Sequence, residues 1–110
     1  MPRKPPRTLL DYLVAKGGIR KGMRVATFVA QWTIAQRQLE HEPSLEEAAA
    51  WWKENERSWY RRLAEFRELL PGHETPAPIA AAIIADANAR SDEIGDVMGW
   101  LGRAPLEVAA

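Results

Sequence analysis

The chain has 110 residues, 46% of them hydrophobic and 27% charged, with no cysteine and a formal net charge of zero. That length supports one domain around a single core. The lack of cysteine excludes disulfides, thiolate nucleophiles and thiolate zinc sites together, and the apolar stretch LLDYLVA is too short and too charged for a membrane span or signal sequence. A cytoplasmic protein with no membrane partner is the expectation.

The neutral total hides an uneven distribution. Residues 1–39 carry eight Lys/Arg against Asp11 alone, residues 40–75 carry five against nine acids, and residues 76–110 carry two against five. Phosphate contacts depend on local rather than total charge, so the basic first third leaves nucleic acid open as a partner. A basic end that only aids solubility is the equal alternative.

In chain order, MPRKPPR (1–7) has three prolines and three basic residues and reads as a flexible basic arm. Thr8 is placed to cap a helix, with Asp11 three residues on, and Leu9, Leu10, Leu13 and Val14 form its apolar stripe. Gly17-Gly18 is expected to end that helix, leaving IRKGMR (19–24) as a basic connector. From about Met23 to Glu40, Val25, Phe28, Val29, Trp32 and Leu39 recur at helical spacing with alanines between. This segment is the expected centre of the core, closed by His41-Glu42-Pro43.

Ser44-Leu45-Glu46-Glu47 is a capping box, in which the serine hydroxyl takes the third helical N–H while Glu47 reaches back. Leu45, Ala48, Ala49 and Trp52 share a face, and a second stripe follows in Trp59, Leu63, Phe66 and Leu70 before Pro71-Gly72. Between the stripes, Lys53–Ser58 offers no apolar residue for nearly two helical turns. One unbroken helix over 45–70 remains geometrically allowed, because Trp59 lies a heptad beyond Trp52. Asn55 is a good cap and an indifferent interior residue, which favours a break at 53–55. Further on, Thr75-Pro76 opens a helix with Ile79, Ile83, Ile84 and Ala87 inward, and Ser91 opens another carrying Ile94, Val97, Met98 and Leu101. The expected fold is all-α: five or six helices in one domain over 8–102, followed by a tail over 103–110.

Two helices joined by about three residues form a helix-turn-helix. SLEEAAAWWKENERSWYRRLAEF is similar to such a segment, with Ala49 at the small position where the helices touch, Trp52 as the apolar residue before the turn, Asn55 as cap, and Trp59 and Leu63 as inward anchors. The wider stretch from about 23 to 72 resembles small DNA-binding regulators of actinobacteria and their phages or mobile elements. That resemblance implies a transcriptional regulator whose second helix enters the major groove. Lys53 and Glu54 stand where such turns ordinarily carry glycine and an apolar residue; the lysine is accommodated if the backbone there is right-handed, and Glu54 removes an inward plug.

With Trp59 at the centre of the buried face, Arg57, Arg61, Ala64 and Glu68 fall opposite, and Tyr60 at the edge. Arginine bonds guanine bidentately, and Tyr60 or Ser58 can hold phosphate. The candidate DNA-binding set is Lys53, Asn55, Arg57, Ser58, Tyr60 and Arg61 around the turn and second helix, with Arg3, Lys4 and Arg7 as an arm and Arg20, Lys21 and Arg24 as phosphate neighbours. The competing reading is a solvated face laced by pairs such as Arg61–Glu65. Glu68 is expected to point away. A homodimer fits because a short site rarely gives enough specificity alone, and the helices over 79–101 are candidates for its interface.

Trp32, Trp52 and Trp59 read as core, whereas Trp51 and Trp100 can mark a protein interface. The alternative function is therefore a helical interaction module that binds a host protein without DNA contact. His41 and His73 lack a spaced ligand cluster, and Gly17-Gly18 lacks the rest of a phosphate-binding loop. No cofactor, metal or catalysis is expected.

Overall fold

The computed structural model describes residues 8–89 and contains four helices there: α1 (Leu9–Leu39), α2 (Leu45–Trp52), α3 (Glu56–Leu69) and α4 (Ala77–Ala89). The described residues include no β-strand element, so the fold is all-α. The expected arm (1–7), the helix expected from Ser91 and the tail (103–110) lie outside the described residues.

The start of α1 follows its sequence signal, with Thr8 Oγ1 accepting from the Asp11 N–H at 3.1 Å. Its middle follows in part. Gly18 leaves helical geometry (φ 83°, ψ 169°) and divides α1 into two helical arms, so the first helical run ends at Gly17-Gly18 as expected, but IRKGMR is helical rather than a connector. Arg20, Lys21, Met23 and Arg24 are good helix formers, so the second arm begins directly after the left-handed glycine. The bend is sharp. In a straight helix residues 13 and 22 would lie about 13 Å apart along the axis, yet a Cβ on buried Gly22 would sit 2.6 Å from the Leu13 carbonyl oxygen and from Val14 Cα. The two arms of α1 therefore fold back on each other, and the missing side chain at Gly22 permits the approach.

Around the long arm of α1 the other helices close the core. Phe28 meets Trp59 edge-on at 5.2 Å between ring centroids, with Trp32 at 6.0 Å and Phe66 at 6.3 Å. Such pairs add about 0.5–1.5 kcal/mol each beyond their area burial. Ala30 and Ala35 are buried, as small residues at a close helix crossing should be. On the other side α4 packs Ile79, Ala80 and Ile83 inward. Buried Gln36 ties the layers, accepting from Trp32 Nε1 at 3.1 Å and donating to the Ala77 carbonyl at 3.3 Å. Among the described residues buried Trp59 Nε1 has no acceptor, a cost of roughly 1–3 kcal/mol.

The capping box before α2 is present in both directions: Glu47 N–H donates to Ser44 Oγ at 3.1 Å, and Ser44 N–H donates to Glu47 Oε1 at 3.2 Å. α2 ends at Trp52 and α3 begins at Glu56, so the break falls at 53–55 and the single long helix is excluded.

Candidate nucleic-acid interface

The three residues between α2 and α3 set the geometry of everything that follows. Lys53 N–H donates to the Ala50 carbonyl and Glu54 N–H to the Ala49 carbonyl, both at 3.0 Å. This pair of bonds is the Schellman arrangement, which places its central residue in the left-handed region. Lys53 occupies it (φ 56°, ψ 41°), so the right-handed condition under which a lysine would be accommodated is not met, and the lysine takes the glycine-like conformation. Two terminal carbonyls of α2 gain partners, which compensates for the steric cost at Lys53. Asn55 then caps α3, its Oδ1 accepting from the Arg57 N–H at 2.7 Å.

In α3 the buried residues Trp59, Leu63, Phe66 and Leu69 follow one stripe. Arg57, Tyr60, Arg61, Ala64 and Glu68 are exposed, and Ser58 and Arg62 are half-buried on the flank. Glu68, on the C-terminal half of α3, is reached by Lys21 from α1. One turn earlier Arg24 grips Glu65 with two donors, Nη2 at 2.8 Å and Nε at 3.3 Å. Farther along α1, Gln31 receives Arg62 at 3.0 Å. As the numbers rise on α1 they fall on α3, so the helices run antiparallel and α1 places its cations beside the acidic C-terminal half of α3. The hydrogen bond from Arg24 holds the Glu65 carboxyl below its ordinary value; the charges of Arg24, Lys21 and Arg61 add to this and partial burial opposes it. The same bond raises Arg24.

The candidate residues therefore divide. Lys21 and Arg24 are engaged by Glu68 and Glu65. Tyr60, 51% exposed, donates its hydroxyl to Glu46 of α2, which raises the phenol and lowers the carboxyl. Asn55 Oδ1 is committed to its cap. Lys53, Arg57, Arg61 and Arg20 are exposed, and among the described residues none of their side chains has an ion-pair or hydrogen-bond partner. Arg57 and Arg61 lie one turn apart near the N-terminal end of α3, while Arg20 borders, with Arg24 and Arg62, a depression between α1 and α3. Arg3, Lys4 and Arg7 lie outside the described residues.

Sequence reasoning missed three participants, Gln31, Glu54 and Arg62. Glu54 receives Gln31 Nε2 at 2.9 Å and Arg62 Nη2 at 3.3 Å, so the turn's carboxylate is held by polar partners where an apolar plug was expected. The available signal was the coincidence of a half-buried acid, a core-edge arginine and an amide on three separate elements, which only packing brings together. Arg20, Arg24 and Arg62, with Met23, Thr27 and Gln31, line a depression of about 340 Å³ between α1 and α3. A larger hollow of about 640 Å³ lies where the end of α1 meets α4, bordered by Arg37, His41, Ile84 and Asn88.

Among the described residues no group of three or more His, Cys, Asp or Glu is arranged to hold a metal, and no helix is long and apolar enough to cross a membrane. Comparison of the chain with family models, curated proteins and solved structures gives no match.

Proposed function

We propose that the chain is a cytoplasmic DNA-binding regulator of the helix-turn-helix type, as in small regulators of actinobacteria and their phages, and that α3 enters the major groove of double-stranded DNA. The observation that carries this reading is the segregation of the α3 arginines. Arg62 and Arg67 are held by Gln31, Glu54 and the Glu74 carbonyl. Arg57 and Arg61 stand exposed one turn apart with no such partner among the described residues, on the half of the helix that reaches base edges in this kind of docking. Lys53 and Arg20 extend the surface toward phosphates, and Arg3, Lys4 and Arg7 would reach the backbone from the arm. Tyr60, bonded to a carboxylate, contributes less than its position in the sequence suggests.

A dimer would double the footprint. Ile79 and Ile83 are consumed by packing within the chain, so the described part of α4 offers an interface only its outer side, with Ala81, Ala85 and half-buried Ile84. A second reading, contact with a host protein, is favoured by Trp51, which is 38% exposed and packs edge-on against Trp52 at 5.1 Å.

A gel shift on DNA flanking the chain's own gene, run at two salt concentrations, tests the first reading. Arg57→Ala with Arg61→Ala should abolish retention and leave the thermal melt unchanged. Retention that survives both changes sinks the role given to α3, and capture of a protein that depends on Trp51 but not on Arg61 would favour the second reading.

A further inference from the structure

Gln31 is the one described residue that hydrogen-bonds to α2, to the turn and to α3. Its main-chain carbonyl accepts from Trp52 Nε1 at 2.8 Å. Its side-chain amide donates to Glu54 Oε1 at 2.9 Å and accepts from Arg62 Nη1 at 3.0 Å. Arg62 closes the circuit by donating from Nη2 to Glu54 Oε2 at 3.3 Å, and its guanidinium lies 5.9 Å from the centre of the Trp59 ring. Only one orientation of the Gln31 amide serves both neighbours, since reversing it would set an NH2 against a guanidinium and an oxygen against a carboxylate.

This closed ring has a geometric consequence. Each residue of a helix turns the next by about 100°, so fixing Arg62 at the flank fixes the direction of Arg61 beside it and of Arg57 a turn before. The same ring holds Glu54, the residue after the strained Lys53, and thereby the path by which the chain enters α3. We propose that Gln31, Glu54 and Arg62 are positioning residues for DNA reading: they touch no nucleic acid themselves and set the rotation of α3 that presents Arg57 and Arg61 to base edges. The proposal rests on the DNA-binding reading above and adds to it how the recognition face is aimed.

A residue that aims a helix differs from one that binds phosphate in what its loss changes. Removing a phosphate contact lowers the salt dependence of binding, by about 0.9 in log–log slope per contact. Mis-aiming the helix leaves that slope intact and removes the preference for one sequence over another. The experiment uses two duplexes of equal length, one selected by the wild-type protein from a random pool and one unselected. Gln31→Met keeps the side-chain length and removes the amide, while the Arg62–Glu54 pair remains to support the fold. Its preference for the selected duplex should fall by about tenfold, the scale of one mismatched base contact, with an unchanged salt slope. Exchanging the two groups, Gln31→Glu together with Glu54→Gln, keeps a carboxylate and an amide between the same neighbours and should restore the preference, whereas Glu54→Gln alone should not.

Equal weakening on both duplexes, or a double exchange that folds but fails to recover preference, overturns the proposal. Should the wild-type protein enrich no duplex from the pool, the DNA-binding reading fails by itself, and the aiming role fails with it. Amide exchange over residues 54–57 then separates the causes: faster exchange in Gln31→Met, reversed by the double exchange, leaves the ring as an ordering device only.

Discussion

The two halves of α3 carry opposite balances of charge, Glu56 against three arginines in the first and Glu65 and Glu68 against Arg67 in the second, and present them differently. At its C-terminal half, Glu65 and Glu68 take Arg24 and Lys21 from α1, and four charged side chains become two ion pairs. At its N-terminal half, Arg57 and Arg61 meet no acid at contact distance among the described residues, because they lie on the exposed side of α3, opposite the buried Trp59 face. The lesson concerns availability rather than count. A cation already bonded to a carboxylate must give up that bond before it can neutralise a phosphate, whereas an unpaired one gives up only water. Of the six charged residues assigned to DNA contact within the described chain, two are spoken for by α3 itself.

That contrast depends on how α1 is bent, and the largest expected effect attacks the bend. Gly22→Ala places a Cβ within 2.6 Å of the backbone at Leu13 and Val14, neither of which is the free end of a side chain. Overpacking of this kind costs about 1–3 kcal/mol. The midpoint of urea unfolding should fall accordingly, and an unchanged midpoint would mean that the two arms of α1 are not in the contact described.

A smaller effect of opposite sign is expected at the turn. Lys53→Gly relieves the left-handed strain, at some entropic cost in the unfolded chain, for a net gain of about 0.5–1 kcal/mol. It also removes an unpaired cation, so the protein should melt at a higher temperature while its DNA retention becomes less salt-dependent. Stabilisation with an unaltered salt slope would remove Lys53 from the contact surface and leave Arg57 and Arg61 to carry the N-terminal half.

The smallest effect on stability, and the sharpest on the comparison, is Glu65→Gln, which makes the paired half resemble the unpaired one. The Glu65 pKa is lower in the folded chain than in the unfolded one, so its contribution is fully present above the ordinary glutamate value of about 4.3 and disappears as pH falls through the folded value. Melting curves of wild type and variant should therefore differ at neutral pH and converge in acid. With Arg24 released, DNA retention should rise. If it falls instead, the paired cations belong to the fold alone.

Much of the local structure was legible before any tertiary contact was known. The Ser44–Glu47 box, the Asn55 cap, the break at 53–55 and the stripe Trp59, Leu63, Phe66 depend on groups three or four residues apart, which the chain brings together wherever it forms a helix. Half of the candidate surface was legible for the same reason: Arg57 and Arg61 face away from Trp59 by helical geometry. The other half was not. The pairs Arg24–Glu65 and Lys21–Glu68 span 41 and 47 residues, and no local pattern records them.

By itself, then, the sequence determined an all-α chain, the ends of α2 and α3, and which side of α3 is apolar, because caps and helical periodicity act over a single turn. The helical course of IRKGMR and the left-handed Lys53 are also local, set by helix propensity and by the Schellman bonds at the end of α2. Tertiary structure alone decided that Glu54 finds Gln31 and Arg62, and which of the described cations are paired. Both follow from the antiparallel packing of α1 on α3, set by the burial of Phe28, Trp32, Trp59 and Phe66 together, and the placement of surface charges is a consequence of that burial.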